Sequence, residues 1–225
     1  MAKKLITVLL VLTIVACSSV SIYAAESREV ESSNDTEKGG QRVEQMVDEY
    51  DEAEAQKEAE KKKKAEEKKK KEEKYRNGLA AYIRKINPNV GTTKSKTLAK
   101  LFIEKGEKYD LDPKVLMAVA QGESTFYTNA TNPYGYKGLM QTSDSLARSY
   151  GYSPSSLYKP EVSIEVGARY LKSMKKTYKT YKKALSAYAY GPGSVNAGKF
   201  SYSYANRVLN RRDNITKYLE RNKYI

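Results

Sequence analysis

Glu123 is the residue whose chemistry stands out first. It follows an apolar helical run over residues 115–120 and opens a loop rich in Asn, Pro, Gly and Tyr. The chain comes back at Gly138-Leu139-Met140-Gln141, small and apolar residues ending in one amide. A lone carboxyl group, an aromatic-lined loop and a returning polar side chain suit a cleft that breaks a glycosidic bond. Such a bond needs a proton delivered to its leaving oxygen. A carboxylic acid delivers it when apolar surroundings raise its pKa. The alternative left open by this stretch is an ordinary surface Glu near a helix end.

Composition narrows the chemistry. The chain has no His and one Cys. That removes Ser-His-Asp triads, Cys-His dyads, HExxH zinc sites, cysteine zinc cages and intrachain disulfides. There is no Gly-Lys-Ser/Thr phosphate loop either, so no metal and no cofactor is expected. The formal net charge is +14, unevenly spread. Residues 75–225 hold 26 Lys and Arg against 10 Asp and Glu, a charge of +16. Such a field favours polyanions, among them an anionic cell wall.

The elements that must position Glu123 read as helices. Leu79, Tyr82, Ile83 and Ile86 share a helical face that ends at Asn87-Pro88. Residues 95–109 form a second helix, with Leu98, Leu101, Phe102 and Ile103 inward. Asp112-Pro113 starts a third, Asp as cap and Pro at the first helical position; it leads to Glu123. Ser143-Asp144 caps a short helix. Residues 161–178, 184–190 and 204–218 complete a mainly α fold, because period-two alternation is nearly absent.

The N-terminal third has a different character. Lys3 and Lys4 precede an apolar run over residues 5–16, an export segment too short to span a bilayer comfortably. Cys17 follows in a lipobox-like setting, which would make it the lipidated first residue after removal of 1–16; ordinary cleavage, leaving 1–25 as the signal, is the alternative. An uncleaved anchor is a third reading, against which the short run argues; all three place the rest of the chain outside the cytoplasm. Residues 17–74 form a linker. Its residues 53–74 consist of Ala, Glu, Lys and one Gln, a solvated charged helix or spacer with no large apolar seam. Residues 75–225 form a single catalytic domain.

Four ordered motifs carry a resemblance. Glu123-Ser124 is followed, at the family's spacing, by Gly138-Leu139-Met140-Gln141. Then come Gly167-Ala168-Arg169-Tyr170-Leu171 and Ala187-Tyr188-Ala189-Tyr190-Gly191-Pro192-Gly193. The domain resembles the soluble lytic transglycosylase family, over roughly residues 98–208. The resemblance implies a goose-lysozyme-like, mainly α fold. It implies that Glu123 is the catalytic acid and then base, with Gln141, Met140 and Tyr188 around the sugar being cleaved. Ala189 stands where the family usually has Asn, and Asn132, beside Pro133, where it often has Ser; Asn132 still offers an amide to substrate. With twenty Tyr and no Trp, sugar-stacking platforms would be Tyr134, Tyr136 and Tyr190.

The resulting expectation is a peptidoglycan lytic transglycosylase that forms a 1,6-anhydro product. Its partners would be glycan strands and anionic wall polymers, with the membrane reached only through a lipid on Cys17, and no nucleic acid. A muramidase using a second acid, of which Asp144 is the nearest downstream, is one alternative. A non-catalytic wall-binding or assembly protein is another, against which the presence of Glu123 argues.

Overall fold

The computed structural model describes residues 36–225, with side chains at Met46 and from Ala53 onward. Cys17 and the export segment lie outside the described residues. The chain divides into two compact units, residues 1–62 and 63–225. Helix α1 (Thr36–Ile86) contains the whole Ala/Glu/Lys stretch. Its exposed charges pair along the helix, as in Lys70 with Glu66 at 2.9 Å, four residues apart. It begins at Thr36, so residues 36–41, polar and linker-like in composition, are helical.

The last turns of α1 join the core through Leu79, Tyr82 and Ile83. A 3-10 turn at Pro88–Val90 leads to α2 (Thr92–Tyr109), which buries Leu98 and Phe102; Leu101 and Ile103 are half-buried on its flanks. Helix α3 (Pro113–Ser124) starts as its sequence predicts: the Asp112 carboxylate accepts the Lys114 backbone N–H at 2.8 Å. Residues 115–120 of α3 are fully buried on every side, so this is the central helix and not an amphipathic one. It lies against α2 and against the last helix, α8 (Ser203–Arg221).

Between them come α4 (Asp144–Ser149), a 3-10 turn at Pro154–Tyr158, α5 (Pro160–Tyr178), α6 (Tyr181–Tyr190) and α7 (Pro192–Asn196). Helix α5 packs on α2 and α6, and α6 on α8. Helix α6 starts earlier than residue 184, because the Thr180 hydroxyl caps Lys183 N–H. Helix α7, short and opened by Pro192, has no counterpart in the sequence reading. Among the described residues there is no β-strand, only isolated bridges from Lys137 to Thr131 and Thr142. The fold is mainly α, as expected. No described helix is long and apolar enough to cross a membrane.

Candidate active site

Glu123 occupies the last turn of α3, and that turn is clamped. The chain leaves it through two successive left-handed residues, Thr125 (φ 51°) and Phe126 (φ 61°). Such non-glycine conformations persist only where the surroundings impose them. Here Phe126 is driven into the core, edge-on to Phe102 with ring centroids 6.3 Å apart. The Asn87 amide donates to the Thr125 carbonyl at 2.8 Å. Ser124 then ties the helix to the second motif, since its hydroxyl reaches the Leu139 carbonyl at 2.9 Å.

That second motif is a tight turn held from three directions. Gly138 has φ 73°, and a Cβ there would meet the Leu157 carbonyl oxygen at 2.0 Å. Only glycine fits. The Met140 N–H donates to the Ser163 hydroxyl at 3.1 Å. Gln141 is itself left-handed (φ 46°) and buried; its Nε2 donates to the carbonyls of Gly138 (2.9 Å) and Ala130 (3.2 Å). The Met140 side chain is fully buried against Gly167, whose lack of a Cβ admits it. What Met140 presents is its carbonyl, which accepts the Tyr188 hydroxyl at 2.8 Å.

Burial raises the pKa of Glu123 above the ordinary carboxylate value. The hydrogen bond from Tyr204 and the charges of Arg211 and Arg207 oppose that rise without cancelling it. The Tyr204 hydroxyl donates to Glu123 Oε1 at 2.5 Å. Tyr204 was legible in the sequence only as the start of a helix. It lies outside the four motifs, and no local pattern pairs it with a carboxylate 81 residues earlier. Burial and the Glu123 charge push the phenols of Tyr188 and Tyr204 well above their usual pKa, so both remain protonated donors. No carboxylate is among the groups that shift Glu123.

Beside this centre runs a groove of about 560 Å³. Tyr136, Tyr170, Tyr188 and Tyr190 line it, with Gln141 and a row of hydroxyl side chains that includes Thr142 and Ser145. Tyr170, met in the sequence only as part of the third motif, and the hydroxyl row were not among the expected site residues. Tyr170 does carry a motif signal, and its ring lies 5.3 Å from that of Tyr188. Glu123 does not line the groove; Tyr188 connects the two, lining the groove while feeling the charge of the acid. Ala189 sits at the groove, leaving no side-chain amide there. Asn132 and Tyr134 do not line it. The Asn132 Oδ1 accepts the N–H groups of Tyr134 and Tyr136, at 2.9 and 3.1 Å, and so shapes the loop that carries Tyr136.

Two other acids, Asp144 and Glu165, are committed elsewhere. Ser143, not Asp144, caps α4, accepting from Leu146 N–H at 3.2 Å. Asp144 instead pairs with Lys137 at 2.5 Å. Buried Glu165 is held by Lys105, Lys108 and Tyr109. No group of three or more acidic or thiol side chains able to hold a metal occurs among the described residues.

This geometry coincides with a family match. Residues 100–208 match the transglycosylase SLT domain. A transglycosylase of Enterobacteria phage PRD1 is 33% identical over 102 residues, 45% of this chain and 38% of the phage protein. Membrane-bound lytic murein transglycosylase F of Cronobacter sakazakii is 41% identical over 70 residues, 30% of this chain and 13% of that protein. The 70 kDa soluble lytic transglycosylase of Escherichia coli shares the fold, with a TM-score of 0.50 at 20% identity over 63% of this chain and 30% of that one. The chain therefore spans well under half the length of each of these relatives. The matched residues, 100–208, include Glu123, the Gly138–Gln141 turn, the groove and Tyr204.

Proposed function

We propose that this protein is a peptidoglycan lytic transglycosylase with Glu123 as its general acid and then base. The observation that carries the reading is the Glu123 carboxyl group at the end of α3, its pKa raised by burial and its Oε1 gripped by the Tyr204 hydroxyl. Glu123 would donate its proton to the oxygen between N-acetylmuramic acid and N-acetylglucosamine as that β-1,4 bond breaks. The substrate's own acetamido group would stabilise the cation left at C1. The C6 hydroxyl of the muramyl ring would then attack C1 and return a proton to the Glu123 carboxylate, closing the 1,6-anhydro ring. One carboxyl group suffices for this sequence, whereas two-carboxylate hydrolysis needs a second acid within roughly 5–10 Å.

Tyr136, Tyr188 and Tyr190 would face sugar rings along the groove, with Gln141 as a polar contact. Met140 and Asn132 would act through the backbone they hold. The Cronobacter relative is a murein transglycosylase, which supports the same substrate class. The basic domain would also attract anionic wall polymers. Export, with Cys17 as lipid attachment, would place it at the envelope; labelling with a fatty-acid analogue should mark the native chain and not Cys17→Ala.

Digestion of purified peptidoglycan followed by mass spectrometry tests the reaction. Anhydro-muropeptides are expected. Reducing muropeptides would replace the reading with a muramidase, and the absence of product with a wall-binding protein. Glu123→Gln should fold and bind glycan while turnover drops by about 10²–10⁴-fold, the usual contribution of a general acid. Near-normal turnover would overturn the assignment of Glu123.

A further inference from the structure

The side of Glu123 formed by α8 contains charge that proton donation does not need. Tyr204, Arg207 and Arg211 follow each other at helical spacing, so both arginines share the face from which Tyr204 reaches Glu123. Arg211 is half-buried and Arg207 exposed. Neither makes a hydrogen bond or an ion pair with any described residue. Some cations of the domain find acids, as Arg212 does with Asp213 and Lys137 with Asp144, but 26 basic against 10 acidic residues leave many without one, so what sets Arg211 apart is where it lies. No Asp or Glu occurs between Glu165 and Asp213.

Gly122, immediately before Glu123, explains how Arg211 comes so close. A Cβ at 122 would lie 2.7 Å from Arg211 Nη1 and 3.2 Å from its Cζ. The Gly122 backbone is ordinary helix without positive φ, so nothing in its conformation asks for glycine. Glycine inside a helix costs stability relative to alanine. Here it makes the berth in which the guanidinium lies. The two arginines also lower the pKa that burial raises. Their place is accounted for by an anion that arrives with the ligand.

We propose that Arg207 and Arg211 form a carboxylate-binding site beside Glu123, taking an acidic group on the peptide substituent of the glycan strand. This rests on the reading of the substrate as peptidoglycan, whose carboxylates are carried by peptides attached to the muramyl sugar next to the scissile bond. A guanidinium suits a carboxylate because its planar fork can donate two parallel hydrogen bonds. Arg211, pre-placed over Gly122, would give up little freedom on binding. The site would favour strands that still bear peptides over stripped ones, and it would fix which sugar lies over the acid.

Binding by the full chain carrying Glu123→Gln, which holds glycan without cutting it, tests the proposal. The probes are peptide-bearing glycan fragments and the same fragments with their carboxylates converted to amides. Amidation should weaken binding by about tenfold or more, the scale of a charge-assisted hydrogen bond. Adding Arg207→Gln or Arg211→Gln should lower affinity for the acidic fragments and leave little response to amidation. Gly122→Ala should act like Arg211→Gln although it alters no charge, with circular dichroism and thermal unfolding reporting that it folds. Lys176→Gln with Lys179→Gln, in the last turn of α5 and just beyond its end, away from the groups that act on Glu123, should keep the full preference. The proposal falls if the native arginines show no preference, if the preference survives their loss, or if the lysine changes erase it equally. Turnover of both fragments by the native chain is read separately. Absence of product there would overturn the transglycosylase reading while the binding result still decided the carboxylate site.

Discussion

At the scale of single residues, Glu123 is held between opposed influences. Burial favours its protonated form, and the Tyr204 hydroxyl and two guanidiniums favour the carboxylate. A group that donates a proton and takes one back needs both forms within reach. Tyr204→Phe removes the donated hydrogen bond and leaves the ring. The pKa of Glu123 should then rise further. Because the general acid works protonated, the high-pH limb of the kcat/KM profile should move to higher pH. A profile that kept its position while activity fell would show that Tyr204 only packs. Arg211→Gln should shift the same limb in the same direction, since it too removes an influence that favours the carboxylate.

At the scale of elements, the site depends on how firmly α2, α3 and α5 are joined. Glu165 is the main polar link between α5 and α2. Burial by itself would raise its pKa, but hydrogen bonds from Lys105, Lys108 and Tyr109 outweigh that and bring it down from 4.5 to about 2. Lys105 and Glu165 are both largely shielded from water, whereas Lys108 is 55% exposed and counts for less. A depressed folded-state pKa means stability that is fully present above the unfolded value and lost as pH falls through the folded one. The link therefore contributes on the order of 3 kcal/mol near neutrality. That contribution should disappear between about pH 4.5 and pH 2. Thermal unfolding followed across this range should show a falling midpoint in the native protein. Glu165→Gln should start lower, because it leaves Lys105 without its counter-charge, and should be flatter over the same interval. Parallel curves would place the acid sensitivity elsewhere.

At the scale of the whole molecule, the net charge of +14 belongs mostly to the domain that holds the groove. Some of its lysines are held against aromatic rings. Lys175, Lys182 and Lys183 rest on the rings of Tyr181, Tyr202 and Tyr178, at 4.3, 4.7 and 5.5 Å from their centroids. Charges placed this way draw polyanions over distances limited by the Debye length, about 8 Å at physiological ionic strength. Binding of the Glu123→Gln protein to purified sacculi should accordingly weaken as salt is raised from low to physiological levels. Salt-independent retention would mean that contacts in the groove dominate and that the basic field plays no part in attachment.

Much of this protein was legible in its residues. Helix periodicity, the Asp112-Pro113 start and the absence of strand alternation determined a mainly α fold, because those signals are local. The stretch around Glu123 left an ordinary surface Glu open, and it was the resemblance carried by four ordered motifs that pointed to Glu123 and the Gly138–Gln141 turn as a site. The lack of His and the single Cys excluded whole chemistries outright. Tertiary structure decided what depends on residues distant in the chain. Tyr204 meets Glu123 only because α8 packs against α3. Met140 turned out to offer a carbonyl and not a side chain, since Gly167 lets it sink into the core. Gly122 is an unremarkable helical residue until Arg211 is seen lying over it. Hydrophobic period and capping belong to neighbours in sequence, whereas burial, pKa and the partner of a charge belong to neighbours in space.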